Sequence, residues 1–277
     1  MKYSAEWTEI NPQVRKFLHV WEPASVPTAV VCIVHGLGEH GGRYRRLAAD
    51  LVRAGLAVVA FDQQGHGQSP GKRGCIDSYE ALLIDIGMVL RWADRCFPDI
   101  PRILFGHSMG GNLVLNYVLR MDHPPEAMIS SSPMIRSVRE PGWLFESVAR
   151  MLLTVAPNFR LKSNVVAERL MSDREEQQEF YSDALFHSRL SLRLGAALLD
   201  SGRWMLDNAQ KLQVPTLLVH GTNDYLTSHI ASAEFAKRAA EICQLELYEG
   251  QLHDTFRDRE RDRVIERFVE FIRQHCT

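Results

Sequence analysis

The chain of 277 residues carries 32 Lys and Arg against 34 Asp and Glu, which gives a net charge of −2 and no electrostatic basis for binding nucleic acid. Its hydrophobic residues, 45% of the total, suit a globular protein with one large core or one core plus an insertion. The N-terminus lacks the apolar stretch of a signal peptide, and no apolar run reaches membrane-spanning length. No Cys/His cluster has zinc-site spacing. We therefore expect a cytoplasmic protein without a bound metal.

Buried strands alternate with helices in the first half of the chain. Residues 14–21 could form an edge strand, and the continuous β-branched run at 29–34 predicts a strand buried on both faces. A second buried strand is predicted at 56–62, and residues 79–92 have the apolar spacing of an amphipathic helix. Strands separated by helices of this length predict right-handed βαβ units, and hence an α/β fold with a mostly parallel central sheet flanked by helices.

The strongest functional signal is the pentapeptide Gly-His-Ser-Met-Gly at 106–110. It follows a short apolar run at 103–105 and precedes a helical pattern, which is the context of a nucleophile elbow. In such a turn Ser108 would occupy a strained backbone region, and the glycines two residues before and after it would let the chains pass closely. The alternative is a glycine-rich loop with an incidental serine, which the two flanks and the partners of Ser108 argue against.

The alternation of strands and helices stops after a predicted strand at 127–131. No convincing strand occurs in residues 134–208, and helical patterns dominate there. We therefore expect a helical cap, or lid, at 134–208, inserted into an α/β core formed by residues 1–133 and 209–277.

The first cap helix is predicted around residues 143–155 and is apolar on most of its surface. Trp143 and Leu152 belong to it. Such a helix could bury an acyl chain, contact a membrane surface peripherally, or simply pack against the core. The lipid-facing role is the one we expect for part of this surface.

Two side chains that could complete a catalytic site follow the last two predicted strands. The strand at 215–220 leads to Asp224, and the strand at 245–248 leads to a loop with His253. A serine hydroxyl needs a base to take its proton and a group to orient that base. Functional groups of an open parallel sheet gather at the carboxyl ends of its strands. We predict that His253 accepts the proton of Ser108 and that Asp224 orients His253.

Other polar side chains near these positions have simpler predicted roles. His107 adjoins the serine but should leave the turn in another direction, so we expect it to pack or to touch the substrate. His66 is expected to be structural, His220 to be a core histidine, and Asp254 to face away from the histidine beside it. Asp62 is the main alternative acid by location, but it precedes the serine and suits a role in bracing a loop.

Two backbone amides are needed to stabilise an oxyanion. Met109 would supply one, as the first amide of the helix after the serine. The second should come from the glycine-rich loop after 29–34, and we predict Leu37. The letters at 36–41 also match the G-x-G-x-x-G pattern of dinucleotide-binding proteins, but this pattern alone is weak, and Glu39 lies within it.

Five motifs occur together in the chain. They are His-Gly-Leu-Gly-Glu-His at 35–40 with Arg43 and Tyr44, Phe-Asp-Gln-Gln-Gly-His-Gly-Gln-Ser at 61–69 with Gly-Lys-Arg-Gly at 71–74, Gly-His-Ser-Met-Gly-Gly at 106–111, Gly-Thr-Asn-Asp at 221–224, and His253-Asp254. With them the chain resembles α/β-hydrolases of the monoacylglycerol lipase and lysophospholipase branch. The resemblance implies the α/β-hydrolase fold with a helical cap, and a serine hydrolase that cleaves carboxylic esters of single-chain lipids without a cofactor.

The resemblance also assigns the site. It implies Ser108, Asp224 and His253 as the triad, and Leu37 and Met109 as the oxyanion donors. The expected substrate-binding residues are Gly36, Glu39, His40 and His107 near the polar end of the pocket, and Trp143 and Leu152 in the cap. Monoacylglycerol, cleaved to fatty acid and glycerol, is the first substrate implied.

Other activities remain open. A lysophospholipase, a short-chain carboxylesterase or a thioesterase would use the same site. An aminopeptidase of this fold would need acidic cap side chains to hold a free amine, and Glu168, Asp173, Glu175 and Glu176 are candidates. A non-catalytic binding protein on a hydrolase fold would be expected to have a damaged triad, whereas all three members are present here.

Overall fold

The computed structural model describes residues 1–12, 14–163 and 165–276. Within these ranges the strands are β1 (Lys2–Asn11), β2 (Val14–Glu22), β3 (Val30–Val34), β4 (Ala57–Phe61), β5 (Arg102–His107), β6 (Ala127–Ser131), β7 (Arg160–Lys162), β8 (Arg189–Ser191), β9 (Thr216–Gly221) and β10 (Cys243–Tyr248). The helices are α1 (Arg45–Arg53), α2 (Tyr79–Cys96), α3 (Met109–Arg120), α4 (Trp143–Leu153), α5 (Arg174–Ser182), α6 (Leu192–Asn208), α7 (His229–Ala239) and α8 (Arg261–His275).

Eight of the strands form one sheet in the order β1-β2-β4-β3-β5-β6-β9-β10. The pairs β1–β2 and β2–β4 are antiparallel, and all other neighbours are parallel. The register places Val34 of β3 opposite Gly106 of β5, and His107 of β5 opposite Ser131 of β6. The carboxyl ends of these strands therefore meet at one edge of the sheet, where functional groups of such folds collect.

Helices cover both faces of this sheet. The apolar sides of α2, α3, α6 and α7 join the core on one face, and those of α1 and α8 join it on the other. In β3, Val30, Cys32 and Val34 belong to the first layer, whereas Val31 and Ile33 belong to the second, because successive side chains of a strand point to opposite faces. Both faces are buried, so the strand is apolar throughout.

The N-terminal hairpin corrects one prediction. The strand predicted at 14–21 is present as β2, but it lies inside the sheet between β1 and β4, and β1 forms the edge. Most side chains of β1 are exposed. The sequence of β1 alternates apolar and polar residues from Tyr3 to Thr8, which is the pattern of a strand, although no strand was predicted there.

The segment between β6 and β9 contains α4, α5, α6 and a separate two-stranded ladder, β7–β8. The prediction that residues 134–208 hold no strand is therefore wrong. Each of the two strands has three residues, which is too short for a period to be recognised. Helix α6 contributes side chains to the core, whereas α4 buries none. Among the residues that the structure describes, no helix is both long and apolar enough to cross a bilayer.

Candidate active site

The turn between β5 and α3 holds Ser108 at φ 56° and ψ −114°, an unusual conformation for a residue other than glycine. A Cβ atom at Gly106 would lie 2.3 Å from the carbonyl oxygen of Gly110. A Cβ atom at Gly110 would lie 1.9 Å from the carbonyl oxygen of Val34. Only glycine fits at either position, so the tight passage of β5, α3 and β3 depends on both. This packing holds Ser108 in its strained turn at the edge of the sheet.

Asp224 and His253 lie on loops that follow the neighbouring strands β9 and β10. His253 Nδ1 is 2.6 Å from Asp224 Oδ2, and both side chains are buried. The amides of Leu226 and Thr227 donate to Asp224 Oδ1 at 2.7 and 3.1 Å, and the Thr227 hydroxyl donates to Oδ2 at 2.7 Å. These donors fix the plane of the carboxylate against the imidazole.

Burial and charge act in opposite directions on this pair. Burial would raise the pKa of Asp224, but the imidazoles of His253 and His220 outweigh it and hold that pKa below its usual range. Burial would likewise lower the pKa of His253, yet the Asp224 carboxylate raises it above the ordinary 6.5. A proton taken up by His253 is therefore stabilised by the carboxylate beside it.

Ser108 and His253 line one cavity of about 280 Å³ at this edge of the sheet. Its polar end is bordered by Gly36, Leu37, Glu39, His107, Ser108, Met109, His253 and Asp254. Its apolar wall comes from the core and from the inserted segment and includes Met134, Val165, Leu170, Phe186, Leu190, Leu198 and Leu226. An apolar cavity with a few convergent polar groups suits a ligand that has one reacting polar group and a hydrocarbon part.

Leu37 and Met109, the predicted oxyanion donors, both border the polar end of the cavity. Met109 is the first residue of α3, so its N–H has no partner within the helix, and no side chain caps it. Leu37 lies between Gly36, whose amide donates to Glu39 Oε2 at 3.0 Å, and Gly38, which has φ 79°. Neither the Leu37 nor the Met109 amide donates to an acceptor in the described part of the chain. Both are free to donate to a bound oxygen atom.

A buried ion network behind the Leu37 loop was missed by the sequence reasoning. Glu39 Oε1 accepts from Arg43 at 3.2 Å and from Arg257 at 2.8 Å, and Oε2 accepts from the Tyr44 hydroxyl at 2.7 Å. Arg257 also donates to Asp254 Oδ2 at 2.9 Å. Burial would raise the pKa of Glu39, but Arg257 and Arg43 hold it well below its usual range. The motif contained Arg43 and Tyr44, whereas Arg257 lies outside every motif.

His107 connects this network to the serine turn. Its Nε2 is 2.8 Å from Asp254 Oδ1, and its ring centroid is 4.8 Å from that of His253. Its Nδ1 has no hydrogen-bond partner among the residues described, although it is buried. His107 therefore packs within the network and also borders the cavity.

Three of the predicted substrate-binding residues do not line the cavity. His40 lies outside it and is hydrogen-bonded through Nε2 to Asp183 at 3.0 Å. Trp143 and Leu152 lie on α4 and are 79% and 38% exposed. The correction has a physical reason: a helix that is apolar around most of its surface does not specify which side faces inward, and α4 turns these residues outward.

Three alternatives from the sequence can now be located. Asp62 accepts two loop amides, at 2.8 and 2.7 Å, as a bracing role requires. His66 is buried and lies against the ring of His35, with 5.2 Å between their centroids. His220 is buried, as expected of a core histidine, but its Nε2 is also 3.0 Å from Asp224 Oδ2. The sequence contained no signal for that contact.

Among the residues described, two groups of side chains have potential metal-ligand atoms within 4.8 Å of one another. They are His19, His40 and Asp62, and His107, His253 and Asp254. The second group belongs to the cavity already described. In both groups, hydrogen bonds between protein atoms already engage the imidazoles.

Comparison with known proteins agrees with this geometry. The profile of a hydrolase family described as "Serine aminopeptidase, S33" matches residues 25–260. The monoacylglycerol lipase of Mycolicibacterium smegmatis is 33% identical over 264 residues, which cover 95% of this chain and 94% of that protein. An uncharacterized abhydrolase domain-containing protein of Dictyostelium discoideum is 32% identical over 260 residues, and the chain spans 27% of its length.

Among solved structures, the crystal structure of the monoacylglycerol lipase of Paleococcus ferrophilus matches with a TM-score of 0.85 at 28% identity, covering 95% of this chain and 100% of that one. The predicted α/β-hydrolase fold is confirmed. The chain belongs to the hydrolase family of the serine aminopeptidase S33 profile, and its relatives place it in the monoacylglycerol lipase branch.

Proposed function

We propose that the chain hydrolyses carboxylic esters of single-chain lipids, monoacylglycerol first, to a fatty acid and glycerol through an acyl-enzyme on Ser108. The observation that carries the proposal is the shared cavity: Ser108, in its strained turn, borders the same apolar cavity as His253, which is bonded to Asp224 at 2.6 Å. The names of the Mycolicibacterium and Paleococcus proteins support the substrate class.

In the proposed mechanism Ser108 Oγ attacks the ester carbonyl while His253 Nε2 takes its proton. Asp224 holds His253 Nδ1–H and stabilises the imidazolium. His253 then protonates the departing glycerol oxygen, which breaks the ester bond and leaves the acyl group on Ser108. A water molecule, deprotonated by His253, attacks the acyl carbon and releases the fatty acid with Ser108 restored.

The amides of Leu37 and Met109 are the proposed donors to the oxyanion. Both residues border the cavity, and no acceptor in the described ranges uses their N–H groups. Such donors act mainly on the charge that develops in the transition state, and each contributes about 3–4 kcal/mol in hydrolases where one has been removed. The Glu39 network holds the loop that carries Leu37.

We assign the polar end of the cavity to the glycerol part of the substrate and the apolar wall to the acyl chain. Gly36, Glu39 and His107 border the polar end. The carboxylate of Glu39 is already neutralised by Arg43 and Arg257, so this end suits a neutral head group such as glycerol. An aminopeptidase substrate, with its ammonium group, would need a free carboxylate here.

The acidic residues considered for an aminopeptidase are engaged elsewhere. Glu168 bonds to the hydroxyl of Tyr181, and Asp173 caps α5. Glu175 and Glu176 both pair with Arg46. None of the four borders the cavity. This distribution of charge favours an ester over an aminoacyl substrate, in agreement with the lipase relatives.

Residues 134–208 are the proposed lid, and α4 is its proposed contact with lipid surfaces. This helix has no buried residue, and it exposes Trp143, Leu144, Phe145 and Met151. An exposed apolar helix of this kind binds the interface of a bilayer. The paired substitution of Trp143 and Phe145 by Gln should reduce co-flotation with phosphatidylcholine vesicles and leave hydrolysis of p-nitrophenyl butyrate intact; equal flotation would remove this role for α4.

A reducing compartment suits the five cysteines, which are free.

The proposal is tested with Ser108→Ala. This variant should lose at least about 10³-fold in kcat on monoacylglycerols and should no longer be labelled by a fluorophosphonate probe. Ser25→Ala, at an exposed serine remote from the cavity, is the matched control and should keep both properties. Retained turnover in Ser108→Ala would refute the assignment.

A substrate panel decides among the ester alternatives. Monoacylglycerols, diacylglycerols, lysophospholipids, short p-nitrophenyl esters and an aminoacyl-naphthylamide are compared side by side by kcat/KM. Long-chain monoacylglycerols should rank first. A preference for acetyl over dodecanoyl esters would leave an esterase and remove the lipase, and preference for the naphthylamide would overturn the substrate class.

A further inference from the structure

His220 lies in β9, directly beneath the loop that carries Asp224. Its side chain is fully buried. Nε2 is 3.0 Å from Asp224 Oδ2, and Nδ1 is 2.8 Å from the Ser232 hydroxyl on α7. The same Oδ2 atom is 2.6 Å from His253 Nδ1. One carboxylate oxygen is therefore shared by two imidazoles, one from the strand and one from the cavity.

The surroundings of His220 determine which of its nitrogens carries the proton. Nε2 faces Asp224 Oδ2 at 3.0 Å and the Thr227 carbonyl oxygen at 3.2 Å. The Thr227 hydroxyl oxygen is also 3.2 Å away, but it donates its proton to Asp224 Oδ2 at 2.7 Å and therefore presents lone pairs to Nε2. A neutral imidazole has one N–H and one lone pair, and a lone pair directed at these oxygens would be repelled by them. Nε2 must therefore be the donor, which leaves Nδ1 to accept from the Ser232 hydroxyl. Burial lowers the pKa of His220 despite the carboxylate nearby, so the ring stays neutral.

The proposed hydrolase mechanism requires Asp224 to hold His253, and the following inference rests on that mechanism. We infer that His220 is a positioning residue: through its neutral Nε2–H it shares the Asp224 carboxylate with His253, fixes the direction of that carboxylate and moderates the basicity of His253. Ser232 completes the arrangement by keeping His220 in the donating tautomer.

Removal of the His220 donor changes the charge that acts on His253. A hydrogen bond to an ionised carboxylate stabilises part of its charge. Without the His220 donor, more of that charge acts on His253, so the imidazolium becomes more stable and deprotonates at higher pH. The carboxylate also loses one of the contacts that fix its plane, which misaligns His253 and slows the chemical steps without altering the cavity that binds the substrate.

Other titratable groups also face His253 and must stay constant. They are Asp224, His107, Asp254 and Glu39, and Arg257 pairs with the last two. On the side of His220, the nearest other ring is His229 of α7, with 6.3 Å between centroids. The variants below leave every one of these groups in place.

The experiment compares His220→Leu, which removes the donor, with His220→Gln, which can restore a donor near the Nε2 position. His19→Leu is the matched control, since His19 is a buried histidine in β2 far along the sheet from β9. The pH dependence of kcat/KM on p-nitrophenyl butyrate reports the acid limb. In a Ser108→Ala background, NMR titration reports the pKa of His253 directly, and nitrogen chemical shifts report the tautomer of His220.

His220→Leu should raise the pKa of the acid limb, and the pKa of His253 in the NMR titration, by about 0.5–1 unit. It should also lower kcat about 10- to 100-fold, with KM within about twofold of the parent. His220→Gln should keep the limb within about 0.2 unit, and His19→Leu should not move it. An Nδ1–H tautomer in the parent, an unmoved limb in His220→Leu, or equal shifts in His220→Leu and His19→Leu would each overturn the inference.

Two further measurements keep the inference testable. If His220→Leu does not fold, Ser232→Ala should give a smaller shift in the same direction, and the tautomer of the parent still decides. If the parent hydrolyses no ester and is not labelled by the fluorophosphonate, the proposed function fails. The titration of His253 in the same variants, which needs no turnover, then tests the role of His220 separately.

Discussion

At the carboxyl edge of the sheet, Asp224 and Glu39 are buried carboxylates, and each accepts several hydrogen bonds from groups on different elements. In the inserted segment, Glu146 is paired with Arg150 and Arg203 at the surface, and α4 exposes its apolar side chains. The two regions form one cavity, but they are held by different forces. The edge depends on close backbone passage and buried charge, whereas α4 in the inserted segment depends on exposed contacts that solvent weakens.

The largest effect is expected at Gly110, where the backbone of β3 leaves no room for a side chain. Gly110→Ala places a Cβ atom 1.9 Å from the Val34 carbonyl oxygen, so α3 must move away from β3. We expect a loss of about 3 kcal/mol or more in the free energy of unfolding. Any folded fraction should lose fluorophosphonate labelling at Ser108, because the turn and the Met109 amide shift with the helix.

Urea unfolding and labelling measure the two effects of Gly110→Ala. Retention of parental stability together with labelling would mean that the serine turn tolerates a side chain. The tight passage would then not be what holds Ser108.

The next largest effect on stability is expected from the buried charge pairs of Glu39, compared with the surface pairs of Glu146. Glu39→Gln removes the carboxylate that Arg257 and Arg43 share, leaving Asp254 to pair with Arg257 and Asp183 to pair with Arg43. Breaking a buried pair from one side costs up to about 3–5 kcal/mol. Hydrolysis should fall as well, since Glu39 holds the Gly36 amide beside Leu37. Glu146→Gln removes the surface partner of Arg150 and Arg203 and should leave the midpoint of thermal unfolding within error of the parent. Equal losses in the two variants would contradict the contrast between the regions.

The sequence predicted the carboxyl edge of the sheet better than it predicted the inserted segment. The serine turn, Asp224 and His253 could be located because strand ends and chain order are local signals, and parallel pairing brings those ends together. The contact between His220 and Asp224 could not be predicted, because it depends on how the 224–227 loop folds back over β9.

In the inserted segment the sequence predicted helices but not their orientation. Trp143 and Leu152, predicted as substrate-binding residues of the cap, do not line the cavity, because α4 is apolar on several sides and the direction of its packing is set by neighbours distant in sequence. The wall of the cavity instead includes Val165, Phe186 and Leu190, which lie outside α4, α5 and α6. No helical or strand period marks such residues.

We expect stability to depend on pH through two histidines, His187 and His66, at the contact between the inserted segment and the core. His187 of the inserted segment donates through Nε2 to the Gly65 carbonyl at 3.1 Å, and its ring is 4.7 Å from that of His66. Burial lowers the pKa of His187 to about 4 and that of His66 well below its usual value. Both rings are therefore neutral when folded and take protons more readily when unfolded, so their contribution to stability is full above pH 6.5 and is lost as the pH falls from 6.5 toward 4.

His187→Gln removes one of these titrating groups and can keep a side-chain donor for Gly65. The slope of the unfolding midpoint between pH 6.5 and 4 should become shallower than in the parent. His229→Gln, at a histidine of α7 outside this contact, should retain the parental slope. An unchanged slope in His187→Gln would show that the contact does not titrate with folding.

The smallest effect is expected from Gly195→Ala, which should raise the free energy of unfolding, whereas Gly110→Ala should lower it. Gly195 lies inside α6, and a Cβ atom there would be 3.6 Å from the nearest atom of Leu190, an ordinary contact. Gly195→Ala should stabilise the protein by about 0.5–1 kcal/mol, because alanine favours the helix and restricts the unfolded chain. Urea unfolding beside Gly110→Ala measures both signs in one assay. Destabilisation by Gly195→Ala would mean that the inserted segment is packed as tightly as the edge of the sheet, and the distinction between the two regions would fail.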